Sequence, residues 1–280
     1  MPVFGLELIF YIIAGAGVGL AVGFTGVGGG SLMTPILILF GIPPKTAIGT
    51  DLLYAALTKS GALVSHHRQG NIRWKVVGLI CAGSIPASLL TSFLLKQWME
   101  DRFDYEPVLT CILGIMLILT AFVVFLRTWL NRRASRQAAK LGQSNPALAV
   151  DKLQEKIGTT KALITVIVGV VLGVLVTLTS VGAGAIGAAL LMTLFPLLPS
   201  SRIVGTDIAH AVPLTFVAGM GHLYNQNVDF VLLTGLLIGS LPAVHIASSY
   251  SKKVSNELLR LILAVILLII GGKLIWSLCF

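Results

Sequence analysis

The chain has 280 residues, of which 56% are hydrophobic and only 11% are charged, and its mean hydropathy is +0.94. Soluble domains are about 45–50% apolar and about 25% charged, so this composition excludes a protein that keeps most of its surface in water. A formal net charge of +9 would be compatible with binding to nucleic acid. The positions of the charged residues along the chain, described below, explain the net charge in another way. We therefore expect an integral membrane protein with the lipid bilayer, and no nucleic acid, as its surroundings.

Ten apolar segments follow one another along the chain, and the second and seventh are short. They cover approximately residues 6–24, 31–42, 46–65, 76–95, 107–127, 162–178, 184–199, 203–221, 228–248 and 258–277. Most approach the ~20 residues that a helix needs to cross a bilayer. Open strands would leave backbone groups without partners in lipid, so the pattern predicts an all-α membrane protein. A count of eight crossings, with the two short segments re-entrant, is the alternative.

A basic stretch separates the first five segments from the last five. From Arg127 to Lys161 the chain carries eight of its twenty Lys and Arg residues. The sequence therefore predicts a first membrane repeat over residues 1–127, a hydrophilic linker over residues 128–161 and a second membrane repeat over residues 162–280.

The two halves resemble each other, which indicates an internal duplication. Gly49-Thr50-Asp51 recurs 156 residues later as Gly205-Thr206-Asp207, and 11 of the 40 positions over residues 49–88 are identical at this offset. A glycine-rich break precedes each short segment, and these two breaks match at an offset of 154. If all ten segments cross the bilayer, each half crosses five times and the second half is inverted relative to the first.

The positive charges indicate the orientation. Cytoplasmic loops of membrane proteins carry most of the Lys and Arg. Placing the linker in the cytoplasm puts fifteen Lys and Arg inside and four outside. This bias predicts that both termini lie outside, and it accounts for the net charge without a nucleic-acid partner.

The glycine-rich breaks are the candidate anion site. Matching breaks in inverted repeats are typical of secondary transporters, and a broken helix presents backbone N–H groups and a dipole that favour an anion. The candidate substrate-binding residues are Thr25, Gly26, Gly28, Gly29, Gly30, Ser31, Thr50, Lys59, Thr179, Ser180, Gly182, Gly184 and Thr206. The alternative is that the glycines only let helices pack closely.

Five further residues are candidates for coupling or gating: Asp51, Asp207, His210, His66 and His222. An aspartate within a membrane segment is costly and is normally functional or paired. A histidine titrates near neutral pH, so the histidines are candidate gates, and His210 with Asp207 is a candidate proton relay. The alternatives are that the aspartates cap helix starts, that Lys59 extends towards the membrane surface and that the histidines are interfacial.

The first break and the segment after it resemble a known family. Residues 26–31, Pro35 and residues 41–51 are similar to the sulfite exporter TauE/SafE family, and the resemblance extends over nearly the whole chain. It implies a transporter of sulfite, sulfonates or related sulfur oxyanions in a bacterial inner membrane. It also implies that the glycine loops and the Gly-Thr helix starts line the substrate site.

We therefore expect a secondary transporter that moves a small sulfur-containing oxyanion by alternating access, with a small anion as its ligand and with proton coupling at the aspartates. An anion channel, or a transporter of another small anion such as a carboxylate, is the alternative. No set of catalytic residues or metal ligands stands out, so neither an enzyme nor a cofactor is predicted. A homodimer remains open.

Overall fold

The computed structural model describes residues 2–25, 30–99, 106–141, 158–196, 198–250 and 256–279. These residues form ten α-helices and one π-helical turn, and none of them lies in a β-strand. The helices are α1 (Pro2–Thr25), α2 (Gly30–Leu39), α3 (Pro44–Arg68), α4 (Trp74–Leu94), α5 (Glu106–Leu141), α6 (Thr159–Thr179), α7 (Ala185–Leu194), α8 (Ser200–Tyr224), α9 (Phe230–Tyr250) and α10 (Asn256–Cys279), and the π-helical turn (Leu95–Met99) follows α4. The all-α prediction with ten segments is confirmed.

Several helices are long and apolar enough to cross a bilayer. Within the described residues there are five such stretches: Trp74–Gln97, Pro107–Leu126, Thr159–Thr179, Ser200–Tyr224 and Phe230–Ala247. Helix α3 has the same length as α8, 25 residues, but is less apolar and buries Asp51 and Lys59 along its length. The short helices α2 and α7 have 10 residues each, about 15 Å of helix, which is half the thickness of the hydrocarbon core.

The outer surface of the helices is apolar. Large side chains such as Ile13, Leu90, Leu163 and Ile269 are 59–65% exposed, whereas charged residues of the same helices lie at their ends or in the core. A soluble monomer rarely exposes apolar surface on this scale. The exposed side chains therefore suit contact with lipid, and the chain is a multi-pass membrane protein.

Helix α5 is longer than its predicted apolar segment. The segment was expected to end at residue 127, but the helix continues to Leu141. The first part of the predicted basic linker is therefore a helical extension of α5, and residues 142–157 lie outside the described part of the chain.

The two halves pack on each other along their whole length. Helix α1 packs mainly on α9, α4 on α6, α3 on α8 and α5 on α10. Each of these pairs joins one helix of the first half to one of the second. The core therefore lies between the halves, and neither half has a separate core.

The offsets found in the sequence recur in the packing. Gly83 of α4 lies against Val166 of α6, and Gly239 of α9 lies against Ile12 of α1. Gly239 is 156 residues after Gly83 and Val166 is 154 residues after Ile12. A contact between the halves is thus repeated with the roles of the halves exchanged.

Helices α3 and α8 run antiparallel. Gly49, near the start of α3, packs against Asn227 just after α8, and Gly205, near the start of α8, packs against Asn71 just after α3. Glycine is needed at both positions because a Cβ would overlap a backbone carbonyl oxygen. These two helices, which correspond to each other in the two halves, therefore point in opposite directions.

The remaining pairs include parallel helices. In three pairs the contacts run in the same order along both helices, so the two helices are parallel. These contacts are Ile80–Gly169 and Ser84–Gly173 for α4 and α6, Gly15–Leu236 and Gly19–Ser240 for α1 and α9, and Arg73–Thr206, Ser84–His210 and Ser92–Asn225 for α4 and α8. Because α6 and α8 are both parallel to α4, they are parallel to each other, although only α7 lies between them in the chain.

The helix contact at Gly83 can be tested by adding one methyl group. We expect Gly83→Ala to lower the free energy of unfolding by about 1–3 kcal/mol, because the new Cβ must displace the backbone of α6. Gly78→Ala in the same helix is the matched control, since no atom lies within 4 Å of its Cβ position. Unfolding in detergent micelles measures both, and equal stability of the two variants would contradict this packing.

Candidate functional site

The second glycine-rich stretch interrupts the chain between α6 and α7. Helix α6 ends at Thr179, Ser180 has φ 57°, and Gly182 and Gly184 have φ 121° and 135°. Such positive φ values are accessible to glycine and strained for most other residues. The hydroxyl of Thr179 accepts a hydrogen bond from the Val181 N–H at 3.1 Å. The sequence thus produces a true break, as predicted, and not a continuous helix.

The break brings two opposite helix ends together inside the protein. The last carbonyl groups of α6 and the first N–H groups of α7 have no partners within their helices. The carbonyl end carries partial negative charge and the N–H end partial positive charge. Val181 is fully buried and Ala185 is 6% exposed, so these groups lie away from water, where they interact strongly with a charged ligand.

The first break cannot be compared residue by residue with the second. Helix α1 ends at Thr25 and α2 begins at Gly30. Gly26, Gly28 and Gly29, together with the side chains of Thr25 and Ser31, lie outside the described residues. Their assignment to the site remains a prediction.

Asp51 is a buried carboxylate inside α3. The helix begins at Pro44 after the N-cap residue Pro43, so Asp51 lies in the second turn and the interpretation of Asp51 as a cap is wrong. Its Oδ2 accepts hydrogen bonds from the backbone N–H and the hydroxyl of Thr34 in α2, at 3.2 and 2.5 Å. The hydroxyl of Ser180 is its neighbour from the second break. Asp51 therefore connects the short helix of one half to the break of the other.

Asp207 occupies the corresponding place in the second half. Helix α8 begins at Ser200 after the N-cap residue Pro199, so this aspartate is no cap either. Its Oδ1 rests against Gly187 of α7, where a Cβ would overlap the carboxylate. Each aspartate thus contacts the short helix of its own half, although the contacting residues differ.

Lys59 extends into the protein and not towards the membrane surface. Only 7% of the residue is exposed, and its Nζ donates a hydrogen bond to the carbonyl oxygen of Ala183 in the second break at 3.0 Å. It also interacts electrostatically with Asp207 and with Asp51. The alternative of a lysine that reaches the interface is therefore wrong, and Lys59 is a buried cation beside the break.

His210 is buried, with Lys59 as a charged neighbour and a hydroxyl group of α4 as its hydrogen-bond partner. It is 1% exposed, and its Nε2 lies 2.9 Å from the hydroxyl of Ser84 in α4. The pair that corresponds to it at the 156-residue offset is Tyr54 of the first half with Ser240 of the second, and these two residues also lie side by side. His210 therefore belongs to a contact between halves, and its hydrogen bond to Ser84 does not include Asp207.

His66 and His222 lie at corresponding helix ends in different surroundings. His222 is 1% exposed and its Nε2 lies 2.9 Å from the carbonyl oxygen of Thr177, whereas His66 is half-buried against Gly205. Because the α3–α8 pair is antiparallel, the two histidines lie at opposite ends of that pair. Their role as gates stays a prediction.

Thr50 and Thr206 join the halves. The hydroxyl of Thr50 accepts a hydrogen bond from the Asp229 N–H at 3.1 Å, and that of Thr206 accepts one from the Arg73 N–H, also at 3.1 Å. These matching bonds hold the start of α3 to α9 and the start of α8 to α4. The partners in these two hydrogen bonds, Asp229 and Arg73, do not belong to the second break.

A cavity of about 400 Å³ lies elsewhere, between the ends of α4 and α8. Its lining includes Leu89, Phe93, Phe216 and Met220, with Lys96 stacked over the Tyr224 ring at its edge at 3.9 Å. Its lining includes no residue of the second break and none of the buried charged cluster, which consists of Asp51, Lys59 and Asp207. No group of three or more His, Cys, Asp or Glu that could hold a metal ion occurs among the described residues.

The sequence-based site omitted several residues that the structure places in it. The internal repeat could have indicated three of them. Tyr54 lies 156 residues before the site residue His210, and Ser84 lies 156 residues before Ser240. Thr34 and the carbonyl group of Ala183 carry no such signal, since neither is marked by charge or by the repeat.

Comparison with protein families matches residues 11–274 to the family described as Sulfite exporter TauE/SafE. The chain belongs to this family. It is 38% identical to the probable membrane transporter protein YjnA of Bacillus subtilis over 264 residues, which cover 94% of this chain and 98% of that protein. It is 28% identical to the probable membrane transporter protein YdhB of the same organism, over 86% and 89% of the two chains.

A more distant relative comes from an archaeon. A probable membrane transporter protein of Methanocaldococcus jannaschii is 27% identical over 96% of this chain and 95% of its own. No solved structure matches. Membership of a transporter family is therefore shown, and the relatives' names state no substrate.

The buried charged cluster can be tested through stability. We expect Lys59→Met to lower the free energy of unfolding by about 3–5 kcal/mol, because two buried carboxylates lose their ammonium. The double variant Lys59→Met with Asp207→Asn should recover part of this loss. Lys96→Met is the control, with a loss of about 1 kcal/mol or less. Denaturant titration in micelles measures all three, and a Lys59→Met protein as stable as the wild type would contradict the arrangement.

Proposed function

We propose that the protein is a secondary transporter that carries a small sulfur-containing oxyanion, sulfite or an organosulfonate, across the membrane by alternating access. The observation that supports this most is the second break. A buried helix N-terminus and a buried lysine meet there between two packed halves. Transport, and not catalysis, accounts for a buried polar site with no set of catalytic groups among the described residues.

In this proposal the anion binds at the N-terminal end of α7. The N–H groups around Gly182 and Gly184 would hold its oxygen atoms, as helix N-termini and glycine-rich turns do in other anion sites. Lys59 already lies 3.0 Å from the Ala183 carbonyl oxygen and would supply the positive charge. Thr179 shapes the turn, and the first break would contribute equivalent groups from the other half.

We propose further that the two repeats are inverted and that each crosses the membrane five times. The antiparallel α3–α8 pair supports inversion. The parallel directions of α6 and α8 support five crossings, because the chain must return across the membrane between them. A re-entrant α7 would instead leave α6 and α8 antiparallel. The short helix α7 and the break preceding it would together make that crossing.

The orientation of the chain belongs to the same proposal. The charge bias places the basic linker at residues 128–161 in the cytoplasm and both termini outside, and the family suggests the inner membrane of a bacterium. Residues 1–127 and 162–280 would then form the two moving repeats. In this proposal rocking of one repeat against the other exposes the break to each side in turn, with Asp51 or Asp207, together with His210, as coupling groups and His66 and His222 as gates.

Transport can be measured with the purified protein in proteoliposomes. We expect accumulation of radiolabelled sulfite, and of isethionate as an organosulfonate, against vesicles without protein. Counterflow, in which unlabelled anion inside the vesicles drives uptake of labelled anion, distinguishes a transporter from a channel. Absence of uptake of both anions would contradict the proposed substrate class, and uptake without counterflow would favour the channel.

The site within the transporter can be tested with Gly182→Leu. We expect loss of uptake, because a side chain at φ 121° strains the turn and crowds the approach to α7. Gly272→Leu is the control, since no atom lies within 4 Å of its Cβ position. Monodisperse elution of both variants in detergent verifies folding. A folded Gly182→Leu protein with normal uptake would remove the anion site from this break.

The orientation can be tested by labelling in intact cells. In a background with the native cysteines replaced by serine, Lys140→Cys should react with a membrane-impermeant maleimide only after the cytoplasmic side is opened. Lys45→Cys, on the predicted outer side, should react from outside. Labelling of Lys140→Cys in intact cells would reverse the proposed orientation.

A further inference from the structure

The buried charges of the site do not balance. Among the described residues the buried charged side chains are Asp51, Asp207 and Lys59, with 0%, 3% and 7% exposure. Two carboxylates thus face one ammonium group. An anion that enters adds further negative charge, and uncompensated charge inside a protein is strongly unfavourable. If the proposed anion transport holds, a cation must therefore enter the same region with the anion.

The two carboxylates are not equivalent with respect to Lys59. Its Nζ is fixed at the Ala183 carbonyl oxygen, in the segment that leads into α7, and α7 contacts Asp207 through Gly187. Lys59 interacts electrostatically with both carboxylates. Because its Nζ is held at the segment that leads into α7, and α7 contacts Asp207, we assign Lys59 to Asp207 and the excess negative charge to Asp51.

Asp51 has one oxygen atom ready for a proton. Its Oδ2 takes both hydrogen bonds from Thr34, whereas its Oδ1 is buried and accepts no hydrogen bond from the described residues. The Oδ1 of Asp207 also accepts none from them, but it rests against Gly187, which has no side chain to receive a proton's hydrogen bond. The neighbouring hydroxyl group is what distinguishes Asp51. The hydroxyl of Ser180 lies next to this carboxylate, is 1% exposed and also lacks a partner within the described chain. A protonated Oδ1 would be a donor, and the Ser180 hydroxyl oxygen can accept.

We propose that Asp51, and not Asp207, takes up the proton that accompanies the anion, with Ser180 as its hydrogen-bond acceptor. The proton binds to Oδ1, the new O–H group donates to the Ser180 oxygen, and Oδ2 keeps its two bonds from Thr34. No other bond forms or breaks. The ionisable groups facing Asp51 are Lys59 and Tyr54 of its own helix, whereas Thr34 and Ser180, from the other elements, do not titrate.

The position of Ser180 provides the link to the anion. Ser180 is the αL residue that ends α6, directly before the glycines whose N–H groups are proposed to bind the anion. A hydrogen bond from protonated Asp51 would therefore fix one end of the break at which the anion binds. Asp207 has no equivalent serine, because Gly26 lies at the position corresponding to Ser180.

Infrared difference spectroscopy tests the proton site without any transport assay. During a pH titration of the purified protein, the carbonyl stretch of a protonated buried carboxyl should appear in the wild type and in Asp207→Asn and be lost in Asp51→Asn. In Ser180→Ala the band should remain and move to higher frequency, because the hydrogen bond to Ser180 is gone. Loss of the band in Asp207→Asn, with retention in Asp51→Asn, would overturn the assignment.

A second measurement tests coupling itself. In proteoliposomes, an inward proton gradient should stimulate isethionate uptake several-fold in the wild type, and isethionate stays ionised over the pH range used. Asp51→Asn should lose this stimulation and Asp207→Asn should keep it, each compared with its own rate without a gradient. Retained stimulation in Asp51→Asn would overturn the proposal. If no anion is transported at all, the proposed function fails, and the infrared result still decides the proton site.

Discussion

The structure depends on accommodating three charges inside an apolar helical protein. Asp51, Asp207 and Lys59 are almost completely buried, and charged groups in such surroundings need nearby partners. Two of the partners come from places where helices are short or broken: Thr34 in α2 for Asp51, and the carbonyl group of Ala183 between α6 and α7 for Lys59. The break therefore serves the buried charge, because a continuous helix through Ala183 would use that carbonyl group internally.

The scaffold around this cluster is symmetric, and the cluster is not. Thr50 and Thr206 make matching hydrogen bonds across the halves. At the site the correspondence fails, since Thr215 stands at the position equivalent to Lys59, and Tyr54 at that of His210. A duplicated scaffold gives two similar arrangements of the same helices, whereas the unlike residues at its centre make the surroundings of the buried charges asymmetric.

Much of the fold could be predicted from the sequence because apolar length and repetition have direct structural consequences. The ten helices follow the ten apolar segments, and the 154- and 156-residue offsets reappear as paired contacts such as Gly83 with Val166 and Gly239 with Ile12. The direction of side chains could not be predicted in this way. The sequence around Asp51 is equally compatible with a helix cap until the structure shows that α3 begins at Pro44, and the flexible side chain of Lys59 cannot be oriented from composition alone.

The close contacts between halves also bear on how such a protein can move. In the pairs α1–α9 and α4–α6, glycines bring the backbones of the two helices into contact, as at Gly15, Gly19, Gly169 and Gly173. Small-residue contacts hold helices by dispersion forces over a smooth surface. Bulky side chains would have to leave their pockets before the helices could slide. Each of these parallel pairs joins helices from different halves. A movement of one half against the other must therefore either move both helices of a pair together or make them slide along this smooth contact. Among the described residues, the antiparallel α3–α8 pair carries the three buried charges, so a movement of α3 along α8 would change the distances between Asp207 and the two charges of α3.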